Sequence, residues 1–335
     1  MQVKSITVCY IAKYRSKVGI GMLHQSNATS LIPRGGSLLR KRIVRNWCIY
    51  LLFIPTLVYF LLFAYVPFYW LQVAFKDFKV FAGLAASPWV GWKHFSQIIS
   101  DPMMPRLVGN TVRISLLNII FGFPVPIIFA LLLNEVQNRK FKRIAQTLSY
   151  FPHFLSWVVY AGVVFAVVGP NGAINSVIES LGYDRMNFLT DPSLFLPVLV
   201  ISGVLKGFGW TAIIYLASIS GINPQLYEAA CIDGAGRFRQ MWHVTLPGIR
   251  PIIMLTLCLS IAGLLNGNFD QVFMFLNASN KVVGEIIGTY VYKMGLLNNK
   301  YEYATAMGLM QGIISTCLLV GANTLSRKFG EKSLW

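Results

Sequence analysis

Six stretches of this chain are apolar over lengths that match the roughly 20 residues a helix needs to cross a ~30 Å hydrocarbon core. They are Trp47–Trp70, Val108–Leu133, Leu148–Gly169, Leu194–Ile219, Ile252–Leu276 and Ala304–Leu325. A lone strand cannot satisfy its backbone in lipid, so each is expected to be helical. Hydrophobic residues make up 55% of the chain and charged residues 12%, the balance of an integral membrane protein. Prolines 55, 67, 124, 126 and 197 fall inside the stretches and predict kinks or early ends.

The net charge of +17 would suit nucleic acid on a soluble domain. Here the cations flank the apolar spans and read as topology signals. One set of flanks carries nineteen Lys and Arg: residues 1–46, Arg139–Arg143, Arg237–Arg250 and the tail 326–335. The opposite set carries eight, which predicts both termini in the cytoplasm. That outer side holds seven acids against its eight cations, so an acidic solute is allowed and not required. Arg113 and Lys206 fall within or at the edge of spans, where each must face protein or water, or snorkel to the nearer interface. The five cysteines are scattered with no metal-site spacing, and no cleavable leader is read at the N-terminus.

Between the fourth and fifth spans lies a polar insert, residues 220–251. Asn223 suits an N-cap and Pro224 the first helical position, Asp233-Gly234 a turn, and RFRQMWHV a second helix stopped by Pro247. Ala229, Ala230 and the glycines beyond them leave room for a partner to approach. Phe238, Met241 and Trp242 add an apolar patch. An ordinary loop whose small residues make turns is the alternative reading.

EAACIDGAGRFRQMWHVTLP resembles the EAA motif of membrane subunits of binding-protein-dependent ABC importers. Glu228, Ala229, Ala230, Asp233, Gly234, Ala235, Leu246 and Pro247 match it, with Val244 where isoleucine is common. From about Trp47 onward, stretches such as SPWVGWKHF and SYFPHFLSWVVYAGV are similar to the polysaccharide-type, maltose-importer-like permeases. The resemblance implies an all-α integral membrane fold, the six-helix type I ABC importer transmembrane domain over 47–325, with a cytoplasmic coupling helix-turn-helix. Its implied partners are a second permease subunit, two ATPase subunits and an extracytoplasmic solute-binding protein, in a bacterial inner membrane. Glu228, Ala229, Ala230, Asp233, Gly234, Ala235 and Gly236 would enter the ATPase cleft. The chain lacks a phosphate-binding G-x-x-x-x-G-K-[ST] loop, so ATP and magnesium are expected on those partners, with no cofactor, metal site or covalent chemistry here. Residues 1–46 match nothing in that pattern and read as a basic arm.

For the path of an oligosaccharide, NGNFDQ in the fifth span offers amides, a carboxylate and an aromatic face: Asn266, Asn268, Phe269, Asp270 and Gln271. They either line a cavity or cap the outer half of the helix. Trp210, Tyr215 and Asn118 are further candidates, with simple packing as the alternative. Gly263/Gly267 and Gly308/Gly312 have the spacing of close helix contacts. A stand-alone secondary transporter or channel, or an importer permease for a peptide or other non-sugar solute, are the competing readings.

Overall fold

The computed structural model describes residues 45–328. All but the last two residues of the basic arm, and residues 329–335 of the tail, lie outside them. The chain divides after Val66 into two units. In the first, α1 (Trp47–Phe60) contains Pro55 and passes into a π turn, Leu61–Tyr65.

The second unit contains α2 (Lys93–Ser100), α3 (Met104–Glu135), α4 (Arg139–Tyr150) and α5 (Trp157–Val168). Next come α6 (Pro192–Ser220), α7 (Pro224–Ile232), α8 (Arg237–Gly248) and α9 (Arg250–Ala262). The unit closes with α10 (Phe269–Phe275), α11 (Ile287–Tyr292) and α12 (Tyr301–Lys328). Among the described residues, five helices are long and apolar enough to cross a membrane, and a sixth is reached if α8 and α9, bent by 59°, count as one span. Chain direction through α3 and α6 puts the 221–249 insert at one end of the bundle and residues 276–300 at the other, here the insert end and the far end.

Three sequence expectations change. The stretch 148–169 is not one helix: α4 ends at Tyr150, a 3-10 turn covers Phe151–Phe154, and Ser156 Oγ caps α5 by accepting from the Val159 N–H. Pro152 explains the break, since it offers no N–H to continue α4. The stretch 252–276 is broken too, because Gly267 (φ +59°) and Asn268 (φ +52°) adopt the left-handed conformation that Gly and Asn tolerate best. Finally, α8 runs through Pro247 to Gly248 instead of stopping before it.

Three of the prolines share a solution. Three π turns, Leu61–Tyr65, Asn118–Gly122 and Met241–Thr245, each end two residues before a proline: Pro67, Pro124 and Pro247. A proline ring clashes with the carbonyl four residues back and cannot bond to it. Widening the preceding turn moves that carbonyl aside, so the helix continues.

Packing falls into three layers. At the insert end, Ile127, Ala130 and Leu131 of α3 meet Ala212, Tyr215 and Ile219 of α6. Midway, Ile114, Phe195, Leu199, Val272 and Ile286 form a second cluster, and at the far end Leu107, Ile287, Tyr303 and Met307 form a third. Lipid tails are as apolar as leucine, so fit rather than water exclusion must hold helices together. The glycine of closest approach is Gly209, where an added methyl would run into the Ser149 carbonyl of α4. Gly308 and Gly312 have nothing within 4 Å of an added Cβ, so that pair makes no close contact among the described residues. At the far end Asp101 Oδ2 accepts from the hydroxyls of Tyr290 (2.9 Å) and Tyr303 (3.0 Å). Burial opposes the Asp101 charge, but these bonds and one from the Met103 amide hold its carboxyl below the usual range.

Candidate functional site: a neutral cavity and a projecting helical insert

Between α3, α6 and the broken α9–α10 segment lies an open cavity of about 450 Å³. Asn118, Asn266, Asn268 and Gln271 all line it, together with Ser115 and Thr211, and no charged side chain among the described residues does. The break between α9 and α10 is what turns two asparagines inward, and its freed carbonyls are all the more in need of partners. Ser115 Oγ donates to the Leu264 carbonyl, and Gln311 Nε2 donates to the Leu265 carbonyl at 2.9 Å and to Asn266 Oδ1 at 3.3 Å. Irregular backbone at membrane depth is tolerated under just these conditions, beside protein and a cavity. Gln271 is wholly buried; its Nε2 bonds the Leu199 carbonyl and Ser202 Oγ, while Oε1 has no hydrogen-bond partner among the described residues.

Glycine opens the wall. Gly203 and Gly207 of α6 line the cavity one turn apart with Thr211 a turn further on, and a Cβ on Gly203 would sit 2.9 Å from Gln271 Nε2. A Cβ on Gly267 would lie 2.8 Å from Ile286 Cδ1, in addition to its positive φ. Gly267→Val is therefore expected to cost about 2–4 kcal/mol. A marked drop in the thermal midpoint of the detergent-purified protein would show it; an unchanged midpoint would remove the claim that this turn requires glycine.

The remaining sequence candidates lie elsewhere. Tyr215 is fully buried and shares a 2.8 Å hydrogen bond with Thr256 Oγ1, a packing role inside the insert-end layer. Trp210 stacks on His153 at 4.5 Å, on the side of α6 that meets the α4–α5 corner. Phe269 is not among the residues that line the cavity and stacks on Phe273 at 5.4 Å, just past the left-handed pair that ends the break. Asp270 is exposed in the first turn of α10 and lines neither this cavity nor the pocket beside Phe273. Sequence reasoning missed Ser115, Thr211 and the glycines; the i, i+4, i+8 run Gly203, Gly207, Thr211 was the available signal.

At the insert end, Asn223 Oδ1 accepts from the Gln225 N–H at 3.0 Å and starts α7. Its end is a glycine C-cap: Gly234 takes φ +76°, and the Ala235 N–H reaches back to the Ala230 carbonyl at 2.9 Å. Glu228, Ala229, Asp233, Gly234 and Gly236 are exposed, and Ala230 and Ala235 are half-buried. Gln240 Nε2 donates to the Ala235 carbonyl at 2.7 Å, and the Tyr227 and Thr245 hydroxyls meet at 3.0 Å. These bonds tie α7 and the turn after it to α8. Phe238 and Trp242 stack outward at 6.5 Å, and Ile232 is 87% exposed. Exposed apolar side chains thus rim the small residues of the insert.

A helical membrane bundle with an inward-turned amide cavity and a stiff projecting insert is the architecture of a transport permease. Residues 122–331 match the family described as the binding-protein-dependent transport system inner membrane component. The chain belongs to that family. It is 41% identical over 292 residues to Protein LplB of Bacillus subtilis (strain 168), covering 87% of this chain and 92% of the relative. It is 42% identical over 295 residues to the polygalacturonan/rhamnogalacturonan transport system permease protein YteP of the same organism, covering 88% and 92%. Its fold is similar to a chain of a bacterial ABC transporter involved in the import of the acidic polysaccharide alginate, at TM-score 0.80 and 36% identity over 87% of this chain and 99% of that one.

Proposed function

We propose that this chain is one of two permease subunits of an ABC importer and carries an oligosaccharide through the cavity lined by Asn118, Asn266, Asn268 and Gln271. The observation that carries the reading is the cavity itself: amides and hydroxyls with no charge, walled by glycine, suit the hydroxyls and C–H faces of a sugar. Relatives named for polygalacturonan and rhamnogalacturonan transport, and a structural neighbour that imports alginate, support a polysaccharide fragment as cargo. The insert end faces the cytoplasm, as the distribution of cations supports. There Glu228, Ala229, Ala230, Asp233, Gly234, Ala235 and Gly236 enter a cleft of an ATPase subunit. ATP and magnesium bind to that subunit, and this chain catalyses no covalent step. A solute-binding protein delivers the sugar at the far end. Closure of the ATPases favours one of two bundle arrangements over the other and so moves the cavity between outward and inward access.

The test is uptake by proteoliposomes containing the complete importer, with its binding protein and labelled oligosaccharides. Uptake should need ATP inside and the binding protein outside. Gly203→Leu fills the cavity wall and should reduce uptake roughly tenfold or more while the complex still assembles. Ion-driven uptake by this chain alone would refute the reading.

A further inference from the structure

At the far end, α10 and α11 enclose a second, smaller pocket of about 200 Å³. Phe273, Asn277, Lys281, Tyr292 and Lys293 line it, and Glu285 forms its floor. Glu285 is 2% exposed; Lys281 Nζ stands 3.7 Å from its Oε1, and an Arg106 guanidinium nitrogen 3.8 Å from its Oε2. Both separations exceed hydrogen-bond length, and Glu285 Oε2 has no hydrogen-bond partner among the described residues. Lys293 adjoins Lys281, whose side chain holds the Lys293 ammonium below its usual range by hydrogen bonding first and by charge second. Three cations thus gather around one carboxylate. The pocket therefore carries excess positive charge from Lys281 and Lys293, which a second anion would relieve.

The wall opposite is aromatic. Phe273 and Tyr292 meet at 5.0 Å, and Phe269, one turn earlier on α10, stacks on Phe273 and lies 5.9 Å from Tyr292. Since α10 begins beside Asn268 and carries Gln271, this aromatic strip leads from the basic pocket toward the amide-lined cavity. Aromatic faces suit the C–H surfaces of sugar rings and ammonium groups suit carboxylates. The central cavity offers a carboxylate neutral hydrogen-bond donors but no counter-ion.

We propose that Lys281 and Lys293, backed by Phe273 and Tyr292, form a subsite for the carboxylate of a uronate unit, occupied before the sugar enters the central cavity. The proposal rests on the oligosaccharide reading and narrows its cargo to an acidic sugar.

The experiment places a reporter thiol at Ala278, an exposed pocket residue, in the complete importer whose other cysteines have been replaced. An anionic methanethiosulfonate should label Ala278→Cys roughly tenfold faster than its cationic counterpart, after correction for their rates with a free thiol. Digalacturonate should slow that labelling, and a neutral disaccharide should not. Both effects should vanish in Lys281→Met/Lys293→Met and return in Lys281→Arg/Lys293→Arg, which also controls for folding. Equal labelling rates, or equal protection by the neutral sugar, with both lysines present would overturn the proposal. So would an unchanged KM for oligogalacturonate uptake in the double methionine variant, with the oligosaccharide reading left standing. Charge-selective labelling and protection in an importer that takes up no oligosaccharide would uphold the anion subsite and count against the transport reading instead.

Discussion

Glu228→Ala and Gly234→Val are each expected to lower ATP-driven uptake by roughly a hundredfold, equivalent to about 2.7 kcal/mol, while the importer still reaches the membrane. The two act differently. Glu228 is exposed and its side chain makes no hydrogen bond or ion pair within this chain among the described residues, so truncating it removes no such contact from the folded permease. Its loss would be felt only by a basic or hydrogen-bonding group in the ATPase cleft. Gly234 sits at φ +76° with no atom within 4 Å of an added Cβ, so a β-branched residue there meets strain and no clash. Strain of about 1–2 kcal/mol would unwind the end of α7 and misplace Ala235 and Gly236 at the contact. Parallel measurements of uptake and of binding-protein-stimulated ATP hydrolysis distinguish uncoupling from poor assembly. Wild-type uptake by both variants would remove the insert from the coupling path.

The sequence showed helices and the insert clearly because both depend on local chemistry. Apolar runs of about 20 residues have few other fates in a membrane, and Asn223-Pro224 with Asp233-Gly234 mark the two ends of α7 through capping preferences alone. What it hid were places where distant residues decide. The break after Ala262 depends on Asn268 adopting a left-handed conformation, which Ser115 and Gln311 make tolerable by bonding the Leu264 and Leu265 carbonyls. Neither partner is near in sequence. The same break placed Asn266 and Asn268 on the cavity and left Phe269 outside its lining, so residues adjacent in NGNFDQ part company. Trp210 and Tyr215 were ambiguous for the opposite reason: an aromatic on a buried helix has the same sequence signature whether it faces a ring, a hydroxyl or a solute. The prolines of α3 and α8 looked like terminators, and only the preceding π turns, a feature with no sequence signal of its own, let those helices continue.

Lys206 was legible as costly and illegible in its purpose, and its removal should have the largest effect on stability of any single change in the bundle. The residue is 6% exposed, and Nζ donates to the carbonyls of Pro152 (3.0 Å), His153 (3.1 Å) and Leu155 (2.7 Å). The ammonium also lies 5.1 Å from the Trp157 ring centre and 5.6 Å from that of Tyr160. Three donors meet three carbonyls freed where α4 stops and α5 has yet to start, so the cation is needed at the corner and needs it in return. Lys206→Met keeps the length and apolar stem but takes the donor from the His153 and Leu155 carbonyls and leaves Pro152 only its bond from the Leu155 N–H, at an expected cost of about 3–5 kcal/mol. The thermal midpoint of the purified complex should fall by roughly 5–10 °C. Lys206→Arg, which retains charge and donors but not the compact geometry, should fall less. Uptake should decline with it even below the melting range, because α6 carries both the glycine wall of the cavity and the root of the insert, and the corner fixes it midway. A methionine variant as stable and active as the parent would mean that water replaces the ammonium without loss, and that the corner is not a fixed point of the moving bundle.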